Sequence, residues 1–180
     1  MKVTNTAIPE VLVIETDIFG DERGFFKETH HQERYCQAGM DCQFVQDNLS
    51  FSTKNILRGI HFQRRFPQAK LITVIQGEIF DVAVDLRPLS DTFGQWVSVV
   101  LSGSNQKQIF IPEGFAHGFC VLSDQAYVYY KCSEFYHPED EAGIHWADPT
   151  INIDWPVKNP IVSPKDQKHP SFQIFFKKDC

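Results

Sequence analysis

The segment EIFDVAVD, residues 78–85, alternates apolar and polar side chains as a β-strand does. Successive side chains of a strand point to opposite faces, so Phe80, Val82 and Val84 share one face and the two aspartates share the other. Gly77 precedes the segment and adopts a positive φ at little cost, which predicts a tight hairpin with the strand before it. The segment therefore predicts a β-rich fold.

Similar alternation recurs at short spacing along the chain. It predicts further strands at 11–15, 43–51, 56–63, 71–76, 95–101, 108–111, 119–122 and 126–132. Only residues 31–38, which Gly39 ends, are typical of a helix, and the region near 150 is compatible with a second short one. About nine short strands predict a sandwich or a barrel, between which periodicity alone does not distinguish.

Composition limits the class of protein. Lys and Arg number 17 against 23 Asp and Glu, giving a net charge of −6, which argues against a nucleic-acid-binding surface. The 180 residues, 42% of them hydrophobic and 22% charged, predict a single globular domain over 1–180 with a poorly defined tail at 167–180.

The cysteines and the N-terminus bear on location. Five cysteines form no C-x-x-C pair, and an odd count of this kind indicates a reduced setting. The apolar run at residues 11–14 is too short for a signal peptide or a membrane span. We therefore expect a cytoplasmic protein that binds neither nucleic acid nor membrane.

Two histidines lie within strand-like segments, and each follows a glycine that permits close backbone approach: His61 and His117. A lone histidine beside apolar residues is more often a hydrogen-bonded core residue than a catalyst. Here Lys70, Tyr130 and Lys131 also interrupt apolar strands. Ionisable groups on the inner face of a barrel need partners, and a ligand is a common one.

The surroundings of both histidines resemble the two signatures of the cupin jelly roll. Residues 112–117 match the second signature, Pro-x-Gly-x-x-His, and the Gly-x-His that ends at His61 is similar to the first. In metal-binding cupins the first signature supplies His-x-His and then a Glu, but here Gln63 replaces the second histidine and no Glu follows before Gly77. Since a catalytic metal normally takes three protein ligands, a cupin without metal is favoured.

Longer motifs follow one another in a single register that ends near Asp166: FGDERGFF at 19–26, VQDN at 45–48, LRGIHFQ at 57–63, TFGQW at 92–96 and IPEGFAHGF at 111–119. Together they resemble the dTDP-4-dehydrorhamnose 3,5-epimerase family. The resemblance implies an all-β, cupin-type double-stranded jelly roll with short peripheral helices, and a homodimer. It also implies that no metal or other cofactor is used and that the substrate is a dTDP-linked 4-keto-6-deoxy sugar.

The chemistry of such a substrate explains the residue types. A ketone at C4 acidifies the hydrogens at C3 and C5, so the enzyme needs a base, a proton donor on the opposite face and a positive group near O4. By resemblance, His61 is the base and Asp166 is the carboxylate that orients it. The resemblance also implies that Lys70 stabilises the enolate and that Tyr130 is the opposite-face proton donor.

The resemblance also implies a set of substrate contacts. Arginine binds phosphate through paired hydrogen bonds, so Arg23 and Arg58 are the implied contacts of the diphosphate, with Lys165 beside them. Tyr136 is similar to an aromatic residue that stacks on thymine, although stacking alone does not select thymine over uracil. The remaining implied contacts are Phe26, Glu28, Gln46, Asn48, His117 and Glu141.

Two of these assignments depend on strand geometry. Arg58 and His61 are three residues apart, so a regular strand would send them to opposite faces, and a bulge at Gly59 would bring them to one site. Tyr130 falls on the face opposite Tyr127 and its neighbour at 129, although core packing is the simpler interpretation of a tyrosine there.

Other interpretations remain open from sequence. Asp166 lies in a polar tail and without the resemblance would be a solvated carboxylate, and the loop 63–69 departs from the family pattern, which leaves its path undefined. Rival functions are a mono-epimerase acting at C3 or C5 only, a metal-dependent cupin enzyme, and a catalytically silent sugar-nucleotide-binding protein.

Overall fold

A computed structural model describes residues 1–177, and Cys180 lies outside the described residues. The strands are β1 Lys2–Asn5, β2 Leu12–Glu15, β3 Ile18–Asp21, β4 Gly24–Lys27, β5 Gln46–Thr53, β6 Ile56–Gln63, β7 Lys70–Gln76, β8 Glu78–Asp85, β9 Trp96–Ser102, β10 Gln108–Ile111, β11 Phe115–Val121, β12 Gln125–Cys132, β13 Glu141–Gly143 and β14 Ile161–Val162. The helices are α1 Gln32–Gln37 and α2 Phe172–Lys177, with a 3₁₀ turn at Asp166–Lys168.

Two six-stranded sheets form the body of the fold. The first sheet has the order β1-β2-β10-β7-β12-β5, and the second has the order β13-β6-β11-β8-β9 with β14 beside β6. Aliphatic side chains from both sheets meet in one buried cluster, to which Ile72 and Val128 contribute from the first sheet and Ile79 and Val121 from the second. The prediction of an all-β jelly roll with short peripheral helices is confirmed.

The segment EIFDVAVD is β8, and both of its faces are covered. Phe80, Val82 and Val84 pack together in a cluster that includes Phe172 of α2. The opposite face carries Ile79 and Ala83 into the core between the sheets. The predicted alternation is therefore confirmed. Because the cluster with Phe172 covers the outer face of β8 as well, most residues of the strand after Glu78 are shielded from solvent.

Gly77 has the predicted positive φ, 87°, but the predicted hairpin is wrong. β7 pairs with β10 and β12 in the first sheet, whereas β8 pairs with β11 and β9 in the second. Gly77 thus carries the chain from one sheet to the other. A Cβ there would lie 2.0 Å from the carbonyl oxygen of Gln125, so the crossing requires a glycine.

The other differences concern short elements. The predicted helix at 31–38 is α1, but the region near 150 is a turn in which the Asp148 carboxylate accepts hydrogen bonds from the amides of Thr150 and Ile151. Sequence periodicity missed β1, β3, β4, β13 and β14, which are two to four residues long. No helix among residues 1–177 is long and apolar enough to cross a membrane.

One buried carboxylate organises the turn after β8. Asp85 accepts hydrogen bonds from Arg87 Nε at 2.9 Å and from the hydroxyls of Ser90 and Thr92 at 2.6 Å each. Burial alone would raise the pKa of Asp85, but these hydrogen bonds hold it well below its ordinary value. The stabilisation is therefore present above the ordinary aspartate pKa and is lost as the pH falls below about 4.

We expect Asp85→Ala to lower the free energy of unfolding by about 3–5 kcal/mol at pH 7, because Arg87 and two hydroxyls lose a buried partner. Asp124→Ala, which removes an exposed carboxylate 3.5 Å from Lys54, is the control and should cost less than about 1 kcal/mol. Urea unfolding of both variants at pH 7 and pH 3.5 measures these costs. Equal costs at pH 7, or an Asp85 cost that is undiminished at pH 3.5, would contradict the assignment.

Candidate active site

A cavity of about 690 Å³ is lined by both sheets. The first sheet contributes Gln46, Asn48, Lys70, Tyr130 and Cys132, and the second contributes Arg58, His61, His117 and Glu141. Tyr136, from the segment between β12 and β13, and Asp166, from the 3₁₀ turn, complete this set. All four predicted catalytic residues therefore lie at one cavity.

A bulge in β6 brings Arg58 and His61 to the same face. His117 of β11 is opposite His61, but Phe119 is opposite Arg58, so β6 contains one more residue than β11 over this interval. Gly59 takes a φ of 123° within the bulge. The extra residue reverses the alternation, and both side chains line the cavity as the sequence predicted.

His61 is held by a buried carboxylate. Its Nε2 lies 2.8 Å from Asp166 Oδ1, while Asp166 Oδ2 accepts a hydrogen bond from the amide of Gly59 at 3.2 Å. Burial would raise the pKa of Asp166, but its interactions with His169 and His61 hold it well below its ordinary value. A carboxylate only accepts hydrogen bonds, so His61 Nε2 carries the proton and Nδ1 of the neutral ring has the free lone pair.

Tyr130 and Lys70 lie on the opposite wall from His61. Tyr130 is opposite Asn48 and Ile72 in the first sheet, and Lys70 is opposite Cys132, two residues further along β12. Burial raises the pKa of the Tyr130 phenol, which keeps it protonated, and lowers the pKa of the Lys70 ammonium group. The cavity thus has an imidazole on one wall and a phenol and an amine on the other.

A second histidine–aspartate pair lies beside the first. His117 Nε2 is 2.8 Å from Asp81 Oδ2, and both side chains are buried. Sequence reasoning placed Asp81 on the correct face of β8 but gave it no role. The signal that singled out Lys70, an ionisable residue within an apolar strand, applies equally to Asp81.

Polar side chains are linked to one another along the side of the cavity that carries Tyr136. The Glu141 carboxylate accepts hydrogen bonds from Tyr136 Oη and Lys165 Nζ, each at 2.5 Å. The bond to Glu141 raises the pKa of Tyr136 to about 12. Gln46 Oε1 accepts a hydrogen bond from the amide of Tyr136 at 2.8 Å, and Gln46 Nε2 donates to Asn48 at 3.0 Å. These contacts fix the direction of the Tyr136 ring.

The loop 63–69 packs against the segment that carries Tyr136. Gln63 Nε2 donates to the carbonyls of Phe66 at 2.7 Å and of the residue before Tyr136 at 3.1 Å, and its Oε1 accepts from the amide of His137 at 2.7 Å. The buried Asp140 carboxylate accepts from two further loop amides. Both polar atoms of Gln63 are thus engaged in the structure.

The family model described as dTDP-4-dehydrorhamnose 3,5-epimerase matches residues 5–173. The chain belongs to the dTDP-4-dehydrorhamnose 3,5-epimerase family. It is accordingly an isomerase of the nucleotide-sugar epimerase class.

Relatives resemble the chain over nearly its whole length. The dTDP-4-dehydrorhamnose 3,5-epimerase of Shigella flexneri is 55% identical over 168 residues, which are 92% of this chain and 93% of the relative. A crystal structure of the Legionella pneumophila dTDP-6-deoxy-D-glucose-3,5-epimerase in complex with dTDP-4-keto-L-rhamnose has a TM-score of 0.95 at 50% identity and covers 98% of this chain and 95% of its own. A 3'-monoepimerase of Streptomyces bikiniensis in complex with dTDP-quinovose has a TM-score of 0.91 at 31% identity, covering 97% of this chain and 90% of its own.

Four predicted contact residues of this epimerase do not line the cavity. Lys165 donates to Glu141, which does line it, whereas the other three lie in or next to the β3–β4 hairpin. Arg23 pairs with Asp21 at the tip of the β3–β4 hairpin, and Phe26 in the same hairpin is 70% exposed. Glu28 pairs with Arg34 of α1. Within one chain the side chains of Arg23, Phe26 and Glu28 therefore lie apart from the residues that surround His61, and their role in substrate binding stays a prediction.

Potential metal ligands converge at one place among residues 1–177. Atoms of His61, Asp166 and His169 lie within 4.8 Å of one another. The group does not contain His117, the other histidine of the cupin signatures. His169 was missed by the sequence analysis, because residues after Asp166 match none of the motifs.

We expect Gly59→Ala to lower both stability and epimerase activity, since a Cβ at φ 123° would lie 2.6 Å from Gly118 Cα. Gly39→Ala is the matched control: its φ is 95°, but its Cβ would meet nothing within 4 Å. The control should cost about 1–2 kcal/mol of backbone strain and leave activity unchanged. Thermal unfolding and assay of both variants test this, and equal losses would show that the bulge does not depend on the close approach of β11.

Proposed function

We propose that this enzyme inverts C3 and C5 of dTDP-4-keto-6-deoxy-D-glucose to give dTDP-4-keto-L-rhamnose, a step of deoxysugar biosynthesis. The observation that carries the proposal is the placement of the His61–Asp166 pair and of Tyr130 on opposite walls of one cavity. Epimerisation requires removal of a proton from one face of a carbon and its return to the other face. The names of the relatives support the choice of substrate.

The proposed steps follow from the protonation states of the site. His61 Nδ1 takes the proton from C3 or C5, and the electron pair of the broken C–H bond moves into the enolate, whose charge rests on O4. The ammonium group of Lys70 stabilises this charge, which is most effective in a site shielded from water. Tyr130 then donates its hydroxyl proton to the opposite face of the carbon. Solvent afterwards removes the proton from His61 and restores that of Tyr130.

The proposed nucleotide contacts are residues that line the same cavity as His61. Arg58 donates to Ser52 Oγ at 2.9 Å and to the carbonyl of Phe51 at 3.1 Å, which directs its guanidinium group and leaves further N–H donors for a diphosphate. Tyr136 presents a half-exposed ring on which a base can stack. No step needs a metal, and Gln63, at the position of a cupin ligand, has its polar atoms bound within the protein.

Proton NMR of the reaction in deuterated water tests the proposal. We expect deuterium at both C3 and C5 of the product, with both carbons inverted. His61→Asn should lower the rate by about 10²–10⁴ or more, because general-base catalysis is lost. Tyr130→Phe should still exchange hydrogen for deuterium but fail to invert at least one carbon, whereas Tyr127→Phe, on the other face of β12, should behave as wild type.

Two results would change the assignment. Deuterium at a single carbon after prolonged incubation would make the enzyme a mono-epimerase. The similar protein from Streptomyces bikiniensis is named as a 3'-monoepimerase. Near-wild-type exchange at both carbons in His61→Asn would place the base elsewhere in the cavity.

We also propose that the enzyme is a C2 homodimer. Large apolar side chains are exposed on the β3–β4 hairpin, including Phe19, Phe25 and Phe26, and on the outer face of β5, where Leu49 and Phe51 lie. Such patches mark interaction surfaces, and a two-fold interface buries the same patch on both copies. A second copy also offers a site for the hairpin, whose predicted contact residues do not reach the cavity of their own chain.

Sedimentation equilibrium tests the dimer, and we expect about twice the chain mass of 20.8 kDa across the micromolar range. Leu49→Glu should shift the species toward the monomer by placing a charge in an apolar interface. Leu89→Glu, at a fully exposed loop position, is the control and should sediment as wild type. A 20.8 kDa species for the wild-type protein would refute the proposal.

A further inference from the structure

We propose that His61, Asp166 and His169 form a zinc-binding site, and that free Zn²⁺ bound there inhibits the enzyme reversibly. The ion is an inhibitor in this proposal and takes no part in the reaction. The inhibition rests on the proposed function, in which His61 is the base, whereas the binding of zinc to the substrate-free protein does not.

The three side chains offer a ligand set that suits zinc. Two imidazole nitrogens and a carboxylate oxygen lie within 4.8 Å of one another. Zinc sites that keep one position open take three protein ligands, and two histidines with one carboxylate are an established set of this kind. Magnesium prefers oxygen ligands throughout. The donor set therefore favours zinc over magnesium.

The spacing of the ligand atoms fits a metal ion better than a hydrogen bond to His169. The Nε2 atom of His169 lies 3.7 Å from Asp166 Oδ1, which is too long for a hydrogen bond. Two ligands at about 2.0–2.1 Å from a tetrahedral ion are about 3.3–3.4 Å apart. His61 Nε2 lies closer to the same oxygen, at 2.8 Å, because it donates its proton there. Side-chain shifts of about 1 Å or less therefore bring the three atoms to one ion.

The Nε2 atom of His169 is unsatisfied. It is buried and, among the described residues, has no hydrogen-bond partner, in a side chain that is only 11% exposed. Gly143 leaves room for the ring, since a Cβ there would lie 2.5 Å from this atom. A buried polar atom without a partner costs free energy, and a metal ion would supply the partner. His61 and Asp166 line the cavity, so an ion reaches the site from there.

Zinc at this site removes the lone pair that the proposed reaction uses. In the free enzyme, Nε2 of His61 carries the proton, and Nδ1 accepts one from the sugar. A metal ion binds Nε2 through its lone pair, so the proton of the neutral ring is transferred by way of solvent to Nδ1. Nδ1 is then unable to take the proton from C3 or C5. Inhibition thus follows from the tautomer of His61 and does not require the ion to block the cavity.

Zinc binding is measured first, by isothermal titration calorimetry of the substrate-free protein with ZnCl₂. We expect His169→Leu to bind zinc at this site about 10–100-fold more weakly or not at all, since loss of even an outer-shell partner weakens metal binding by about that factor. His145→Leu is the matched control and should bind zinc as wild type does, because His145 Nδ1 accepts from the amide of Ala147 outside the ligand set. Cys36 and Cys42 are free thiols present in every variant, so zinc bound to them cancels in the comparison.

Inhibition is then measured with free Zn²⁺ held by a metal buffer, because the diphosphate of the substrate also binds zinc. Wild type and His145→Leu should lose epimerase activity as free zinc rises, and EDTA should restore it. His169→Leu should have activity close to wild type without zinc and need about tenfold more zinc, or above, for the same loss. Magnesium at the same concentrations should not inhibit.

Three outcomes decide between the site and the reaction. Equal zinc binding by wild type and by folded His169→Leu would overturn the proposal, as would equal inhibition of the two. If His169→Leu does not fold, His169→Asn replaces it, because the shorter side chain does not reach the carboxylate. Zinc binding that depends on His169 without any loss of epimerase activity would instead contradict His61 as the base of the proposed function, and the zinc site would stand.

Discussion

The hydrogen bond of 2.8 Å between His61 and Asp166 joins β6 to a turn 105 residues later in the chain. Because the carboxylate can only accept, this bond fixes which ring nitrogen carries the proton and turns the other toward the cavity. The remaining carboxylate oxygen is bound by the amide of Gly59, the residue that forms the bulge. The Asp166 carboxylate therefore couples the bulge in β6, the orientation of the His61 ring and the position of the C-terminal segment.

Epimerisation also requires groups that approach one carbon from opposite faces, and the two-sheet architecture provides for this. A ligand between two facing sheets has one wall on each side, so groups from different sheets approach it from opposite directions. His61 belongs to the second sheet, whereas Tyr130 and Lys70 belong to the first. The family membership of the chain and the placement of His61 and Tyr130 in different sheets are separate observations, and both support the proposed chemistry.

The local pattern of side chains predicted those features of the site that depend on residues close together in the sequence. Alternation placed Tyr130 opposite Tyr127, and the spacing of Arg58 and His61 required the bulge that Gly59 forms. Pattern failed where distant pairing decides: the strands on either side of Gly77 join different sheets, and a polar tail delivers Asp166 into the site. The hairpin strands β3 and β4 are exposed on nearly every residue, so they lack the apolar alternation that reveals a strand.

The proposed reaction depends on a positive charge near O4, and burial opposes that charge. Burial lowers the pKa of Lys70, while the negative charges of Asp81 and Glu141 act in the opposite direction and favour the ammonium form. The same two carboxylates hold His117 and Tyr136 by hydrogen bonds. The carboxylates that position His117 and Tyr136 thus also favour the charged form of Lys70, which links these side chains to the proposed stabilisation of the enolate within one network.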